Sequence, residues 1–275
     1  ANKAELVGMS FSVTPHEAYY VPVPANYDEA SQIVNEFRQV FENPMIEKTG
    51  QNIKYDMMML KWYDIAVKGP LFDTMLAHYL IEPDMRHNMN LLAEVYLNYE
   101  PVKIESLIGE KKADQISMRE VDISVIKDYA AEDADVTLQL KNKLEPELQK
   151  NQLVALFRNV EMPLIPVLAG METEGVAIDP DALNEFSGIL EKEIEIVEAK
   201  IYEAAGMRFN ISSPKQLGEV FFDVLKIDPK AKKTKTGQYA TGEDVLSKLS
   251  DKHPAVQLVL EYRGLVKLKN TYVDT

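Results

Sequence analysis

Two aspartates stand where carboxylates could do chemistry. Asp133 lies in KDYAAEDADVTLQL, Lys127 to Leu140, where Ile126, Ala130, Asp133, Thr137, Leu140 and Leu144 recur at steps of three and four. That spacing is one stripe of an α-helix, with Asp128, Glu132, Asp135 and Gln139 on the other side. A charge in the middle of an apolar stripe must be neutralised, paired or bound to a cation, because burying it alone costs several kcal/mol. Tyr129, one turn earlier, is close enough to share the site. The second aspartate is Asp56 in GQNIKYD, Gly50 to Asp56, at a strand-to-helix turn with Asn52 as the candidate N-cap. Each has an ordinary explanation: Asp133 meets a lysine or backbone donor, and Asp56 balances the helix dipole. Brought together by a mixed sheet, they would instead share a pair of Mg²⁺ ions about 3.5 to 4 Å apart. Such a pair activates a water and stabilises the leaving oxygen of a phosphodiester, and Tyr129 would orient the water.

The elements that must position these residues alternate in the first half. Glu5 to Val13 and Ala18 to Val23 read as a β-hairpin, and Tyr27 to Phe41 as a helix. A short strand at Met45 to Lys48 leads to a helix from Ile53 to about Tyr63. A further strand at Val67 to Phe72 precedes helices at Met75 to Leu80 and Leu91 to Leu97, an irregular stretch over 98–120, and the Tyr129 helix. This order predicts a mixed sheet flanked by helices. After Leu144 nearly everything is helix: Val154 to Glu174 kinked at Pro163 and Pro166, Asp179 to Gly206, a short helix capped by Ser212-Ser213, and His253-Pro254 to Leu268. Thr241 to Asp244 has the form of a capping box. The change of character puts a domain boundary near 150.

With 275 residues, 46% of them hydrophobic, the chain suits two ordinary domains. It has no cysteine, so a thiolate metal site is excluded and a hard ion, Mg²⁺ or Mn²⁺, is expected on carboxylates. The same absence fits the cytoplasm. No apolar run approaches the ~18 residues of a membrane span, and no membrane association is expected. A net charge of −14 is a poor start for binding nucleic acid, which needs lysine and arginine. The charge is uneven, however: PKAKKTKTGQYA, Pro229 to Ala240, carries Lys230, Lys232, Lys233 and Lys235 without an acid. That loop is either a solvated lysine run or a phosphate grip.

GQNIKYD, FDTML (Phe72 to Leu76), LLAEVYL and YAAEDADVTLQL together resemble the 3′→5′ proofreading exonuclease domain of family A DNA polymerases, the DNA polymerase I type. VEMPLIPVLAGMETEGVAIDP, FNISSPKQLGEVFF and LEYRGLVKLKNTY resemble the segment joining that exonuclease to the polymerase and the beginning of its thumb. The resemblance implies a ribonuclease H-like mixed sheet over 1–150 and a mainly helical connection and thumb over 151–275. It makes Asp56 and Asp133 metal ligands, Tyr129 the residue that positions the attacking water, and Gln51 and Asn52 neighbours of a bound single-stranded 3′ end. It makes Lys230, Lys232, Lys233 and Lys235 candidates for gripping primer-template duplex. Ser212, Ser213 and Lys215, at a helix N-terminus, meet a phosphate or simply cap the helix.

The family's first motif, Asp-x-Glu on a strand, is not found between Ala1 and Tyr20, where the only acids are Glu5 and Glu17. By the resemblance it precedes Ala1. The palm and fingers follow Thr275. The expectation is therefore a fragment whose two-metal site is incomplete, with little or no exonuclease activity alone. Without its central strand the sheet has three outcomes: the hairpin pairs directly with Met45 to Lys48, another chain fills the slot, or the nuclease half is loosened. Two other functions remain open: a free-standing exonuclease acting on RNA, and a non-catalytic DNA-binding or spacer module.

Overall fold

The computed structural model describes residues 4–111, 113–234 and 237–275. These form two compact units, Ala1–Val176 and Ala177–Thr275. Lys235 of the lysine loop lies outside the described residues.

In the first unit, Gly8–Thr14 (β1) and Glu17–Pro22 (β2) form the expected antiparallel hairpin, with Met9 opposite Val21. Its inner side meets helix α1 (Tyr27–Glu36) and the one-turn α2 (Arg38–Phe41), and Phe11 stacks on Phe37 at 5.0 Å. Met9, Val23, Ala30, Val34, Leu60 and Ile65 make a small core there. The strand expected at Met45 starts later, at Lys48–Gly50 (β3), and Met45 is exposed. Lys48 explains the delay: its buried ammonium donates to the carbonyls of Asn43 (2.6 Å), Ile46 (2.9 Å) and Lys68 (2.6 Å), folding the preceding residues into a turn.

Helix α3 (Ile53–Lys61) follows, then β4 (Leu71–Asp73), α4 (Thr74–Ile81) and α5 (Met89–Leu97). β3 and β4 are parallel, with Gly50 opposite Asp73, so the starts of α3 and α4 emerge side by side. A one-turn α6 (Glu105–Ile108) interrupts the irregular stretch, and α7 (Ile123–Lys150) runs on through Pro146. Val136, Leu140, Leu144 and Leu148 of α7 pack with Ile53, Phe72, Ala77, Leu92 and Phe157 into the main core. α7 also packs against β1, β2 and β3.

The two β-pairs are separate two-stranded sheets. The hairpin has therefore not shifted onto the strand at Lys48; α7 lies against both pairs instead. The unit ends in α8 (Val154–Leu156), a wide π turn at Phe157–Glu161, and α9 (Met162–Glu174). The π turn takes up the register that Pro163 and Pro166 would break. Val154–Glu174 is long and apolar enough to cross a membrane by length and composition only. It packs on α3 here, and Lys54 pairs with Glu172 at 2.5 Å.

The second unit opens with α10 (Pro180–Ala205), capped by Asp179 and closed at Gly206 as expected. Then come α11 (Pro214–Gly218) running into a π turn at Glu219–Val224, α12 (Glu243–Leu246), and α13 (Pro254–Leu268). Val197, Ile201, Leu217, Phe221, Leu246, Val256 and Val259 are its core. The expected capping box at Thr241 is not formed: Gly242 occupies the cap position without a side-chain bond, and Thr241 is buried with its carbonyl taken by Arg263.

Candidate active site and nucleic-acid surface

Asp133 sits in the N-terminal half of α7, where the stripe is half-buried rather than closed, because Ala130 and Asp133 both keep some surface. The Tyr129 hydroxyl donates to its carboxylate one turn away. The other oxygen, Oδ1, is buried and has no protein partner. Desolvation pushes the Asp133 carboxyl up to about 6, the Tyr129 bond opposing it and the Glu132 charge adding to it. Tyr129 is itself pushed far above its usual range, first by burial and then by the Asp133 charge.

The opposite side of α7, read from the sequence as a polar face, is in use as well. Glu132 accepts from the Tyr99 hydroxyl and from the Val102 N–H at 2.8 Å, and Asp135 accepts from the His16 N–H at 2.7 Å. These bonds tie the loop after α5 and the hairpin turn to the helix that carries Asp133.

Asp56 is in the first turn of α3, one turn from Ile53 on one side and from Met59 and Leu60 on the other. The turn before it has an unusual backbone. A Cβ on Gly50 would come within 2.9 Å of the Ile53 Cβ, and Asn52 has φ +61°, the left-handed region that asparagine tolerates. Asn52 does not cap α3 with its side chain; Asp73 does so from the end of β4. Asp56 keeps an exposed surface although protein crowds it on most sides. Desolvation, followed by the Asp73 charge, pushes its carboxyl up to about 7, and the water that reaches it screens part of that cost.

Gln51 is not a free contact. Its Nε2 donates to the His87 carbonyl at 2.8 Å, and its Oε1 accepts from the Thr74 hydroxyl. His87 in turn shares a proton with buried His78, Nδ1 to Nδ1 at 2.7 Å.

Among the described residues neither Asp56 nor Asp133 has a cationic partner, and no group of three or more His, Asp or Glu side chains is arranged to hold a metal ion. The donor chemistry of the two carboxylates nonetheless suits a hard cation: both are desolvated, both lack a counter-ion, and one oxygen of Asp133 has no partner.

In the second unit, Lys230 and Lys232 are exposed and form no ion pair among the described residues, while the Lys233 ammonium lies over the Tyr239 ring at 4.6 Å. Tyr239 is anchored by its hydroxyl to Asp223 at 2.6 Å, so the loop has a fixed base. The Ser213 hydroxyl caps α11 through the Gln216 N–H, and Ser212 and Lys215 are exposed. Ser212 borders a groove of about 320 Å³ lined also by Tyr262, Arg263, Val266, Lys267, Asn270 and Thr271. Arg263 and Lys267, one turn apart on α13, were missed in the sequence because they are separated by four positions in an otherwise ordinary amphipathic helix.

The first unit is mixed α/β and carries half-buried Asp133 and exposed Asp56; the second is helical and carries a basic loop. Residues 1–149 match the family described as 3′-5′ exonuclease, and residues 180–275 match DNA polymerase family A. The chain belongs to the family A DNA polymerases, its first part being their 3′-5′ exonuclease. It is 36% identical to DNA polymerase I of Pseudomonas aeruginosa over 100% of this chain and 31% of that protein. It is 34% identical to DNA polymerase I of Bacillus subtilis over 97% of this chain and 29% of that protein. The chain thus spans under a third of the curated relatives it matches. The POL domain of Pol1 from M. smegmatis, in complex with DNA primer-template and dNTP, is similar at a TM-score of 0.69 with 28% identity, over 94% of this chain and 41% of that one.

Proposed function

We propose that this chain is the part of a DNA polymerase I in which the 3′-5′ exonuclease, to about residue 150, joins the connection and thumb of the polymerase. The whole enzyme, on this reading, couples template-directed DNA synthesis to removal of mispaired 3′ nucleotides by metal-dependent hydrolysis, in the cytoplasm. The observation that carries the reading is the Tyr129–Asp133 pair with its unpartnered buried oxygen. The match of the second half to the polymerase family speaks against a nuclease acting on RNA.

The hairpin and the β3–β4 pair, separate two-stranded sheets here with α7 against both, are then the two parts that a ribonuclease H-like sheet would join. Asp56 and Asp133 would hold the divalent ions, Mg²⁺ or Mn²⁺. Bound there, the ions supply charge stabilisation at the phosphate and lower the pKa of an attacking water. Tyr129 holds its hydroxyl at the Asp133 carboxylate and from there orients that water. Asn52, left-handed and exposed beside Asp56, faces the 3′ end, while Gln51 sets the turn and touches DNA only by giving up an internal bond. In the thumb, Lys230, Lys232, Lys233, Lys235, Ser212, Ser213 and Lys215, joined by Arg263 and Lys267, meet the phosphates of a primer-template duplex.

The test uses a longer chain that includes an upstream Asp-x-Glu strand. Asp133→Ala abolishes its Mg²⁺-dependent release of 3′ nucleotides and leaves DNA synthesis intact; equal nuclease rates in the two proteins refute the assignment. The 275-residue chain by itself is expected to degrade single-stranded DNA slowly or not at all, since only two acidic ligands are assigned to the site.

A further inference from the structure

Asp73 accepts four hydrogen bonds, and nothing in the proposed chemistry employs it. It is 2% exposed. Its Oδ1 accepts from the N–H groups of Met75 (2.9 Å) and Leu76 (3.1 Å), the free donors at the start of α4. The same oxygen accepts, more weakly, from Asn52 at 3.4 Å, and Oδ2 accepts from Ile53 at 2.8 Å. One carboxylate therefore satisfies the first turns of two helices, a task that ordinarily takes two capping residues. The parallel pairing of Gly50 with Asp73 brings the two helix starts within reach of it. Thr74 extends the clamp, its hydroxyl donating to the Gly50 carbonyl at 3.2 Å and to Gln51.

The turn being held is the one that needs holding. Asn52 sits in the left-handed region without a side-chain bond of its own, and the α3 start it introduces carries Asp56 three residues beyond Ile53. Resting on the exonuclease reading above, we propose that Asp73 is the positioning residue for Asp56: through the Ile53 and Asn52 N–H groups it fixes where α3 begins, and hence where the Asp56 carboxylate stands relative to a bound cation. The Asp73 charge close to Asp56 agrees with this placement.

The two oxygens make the proposal separable from ordinary helix capping. In Asp73→Asn the amide oxygen keeps the Met75 and Leu76 bonds, and the amide nitrogen is left facing the Ile53 N–H, donor against donor. Amide hydrogen exchange on the 275-residue chain should then show Ile53 losing protection by about tenfold to a hundredfold, the loss expected for a bond to a charged acceptor, with Met75 and Leu76 unchanged. Asp73→Ser, whose short side chain caps α4 and falls short of Ile53, should give the same pattern. Mn²⁺ alone is the second probe: in the unsubstituted chain it broadens amide signals around Asp56 and Asp133, and in Asp73→Asn the same broadening needs about tenfold more Mn²⁺. Asn26→Ala, which removes the cap of α1, serves as a control that lowers thermal stability without moving the Mn²⁺ response. Equal protection of Ile53 in Asp73→Asn, joint loss at Ile53, Met75 and Leu76, or failure of both variants to fold overturns the proposal. No Mn²⁺ broadening at either aspartate in the unsubstituted chain defeats the exonuclease reading instead, and the exchange result then decides the clamp on its own.

Discussion

At the scale of single residues, the two site carboxylates leave a signature in stability. Both hold protons in the folded chain at pH values where an ordinary aspartate, near 3.8, has released them: Asp133 to about 6 and Asp56 to about 7. Between those limits the folded state binds more protons than the unfolded one, so stability falls as pH rises through the interval. Replacing both by asparagine should flatten the fall in unfolding midpoint between about pH 4 and about pH 8, and saturating Mg²⁺ at the upper end should raise the midpoint of the unsubstituted chain alone. Parallel curves for the two proteins would contradict it. Tyr129→Phe removes the one bond that favours the ionised Asp133. The Asp133 carboxyl should therefore titrate higher still, read by carboxyl ¹³C shifts, and the nuclease of the longer enzyme should slow less than with Asp133→Ala because both carboxylates remain.

Among the elements, the lysine loop is the most exposed to test. Lys230 and Lys232 are free to meet phosphate, whereas Lys233 also braces the loop through the Tyr239 ring. Alanine at Lys230, Lys232, Lys233 and Lys235 should weaken binding of primer-template duplex and reduce the log-log salt slope by about 0.9 for every phosphate no longer neutralised. Sequence preference should stay the same, since phosphate contacts carry no base information. An unchanged slope would assign the loop to solvent. Lys233→Ala alone should cost more than Lys230→Ala, because it loosens the base of the loop as well as removing a charge.

For the molecule as a whole, the relevant fact is that each unit has its own core. Leu246 is fully buried in the second core and Leu140 in the first, and truncating such a leucine to alanine costs about 2 to 5 kcal/mol. Calorimetry of the chain is expected to resolve two transitions, with Leu246→Ala lowering one midpoint and Leu140→Ala the other. A single transition shifted equally by both would show one cooperative unit.

The helix that carries Tyr129 and Asp133, the strand-to-helix turn at Gly50, the capping of α10 by Asp179 and the opening of α13 at Pro254 were all determined by the sequence itself, because periodicity and capping are local. So was the kinship with family A polymerases, since it rests on strings of residues. Other features were not legible in it. Asp73 stands in the sequence just before the helix at Met75, and only the parallel register that sets it beside Gly50 makes it the cap of two helices. Gln51 reads as a polar residue near a substrate, and only the approach of His87 and Thr74 commits it to an internal bond. Glu132 and Asp135 read as a solvated face because the loop after α5 and the hairpin turn that they anchor come from 30 and 119 positions away. The hairpin's failure to pair with β3 is likewise tertiary: strand propensity says which residues are extended, while α7, packed against both pairs, is what fills the space beside them. In each case the deciding interaction joins residues distant in the chain, and no pattern within either segment encodes it.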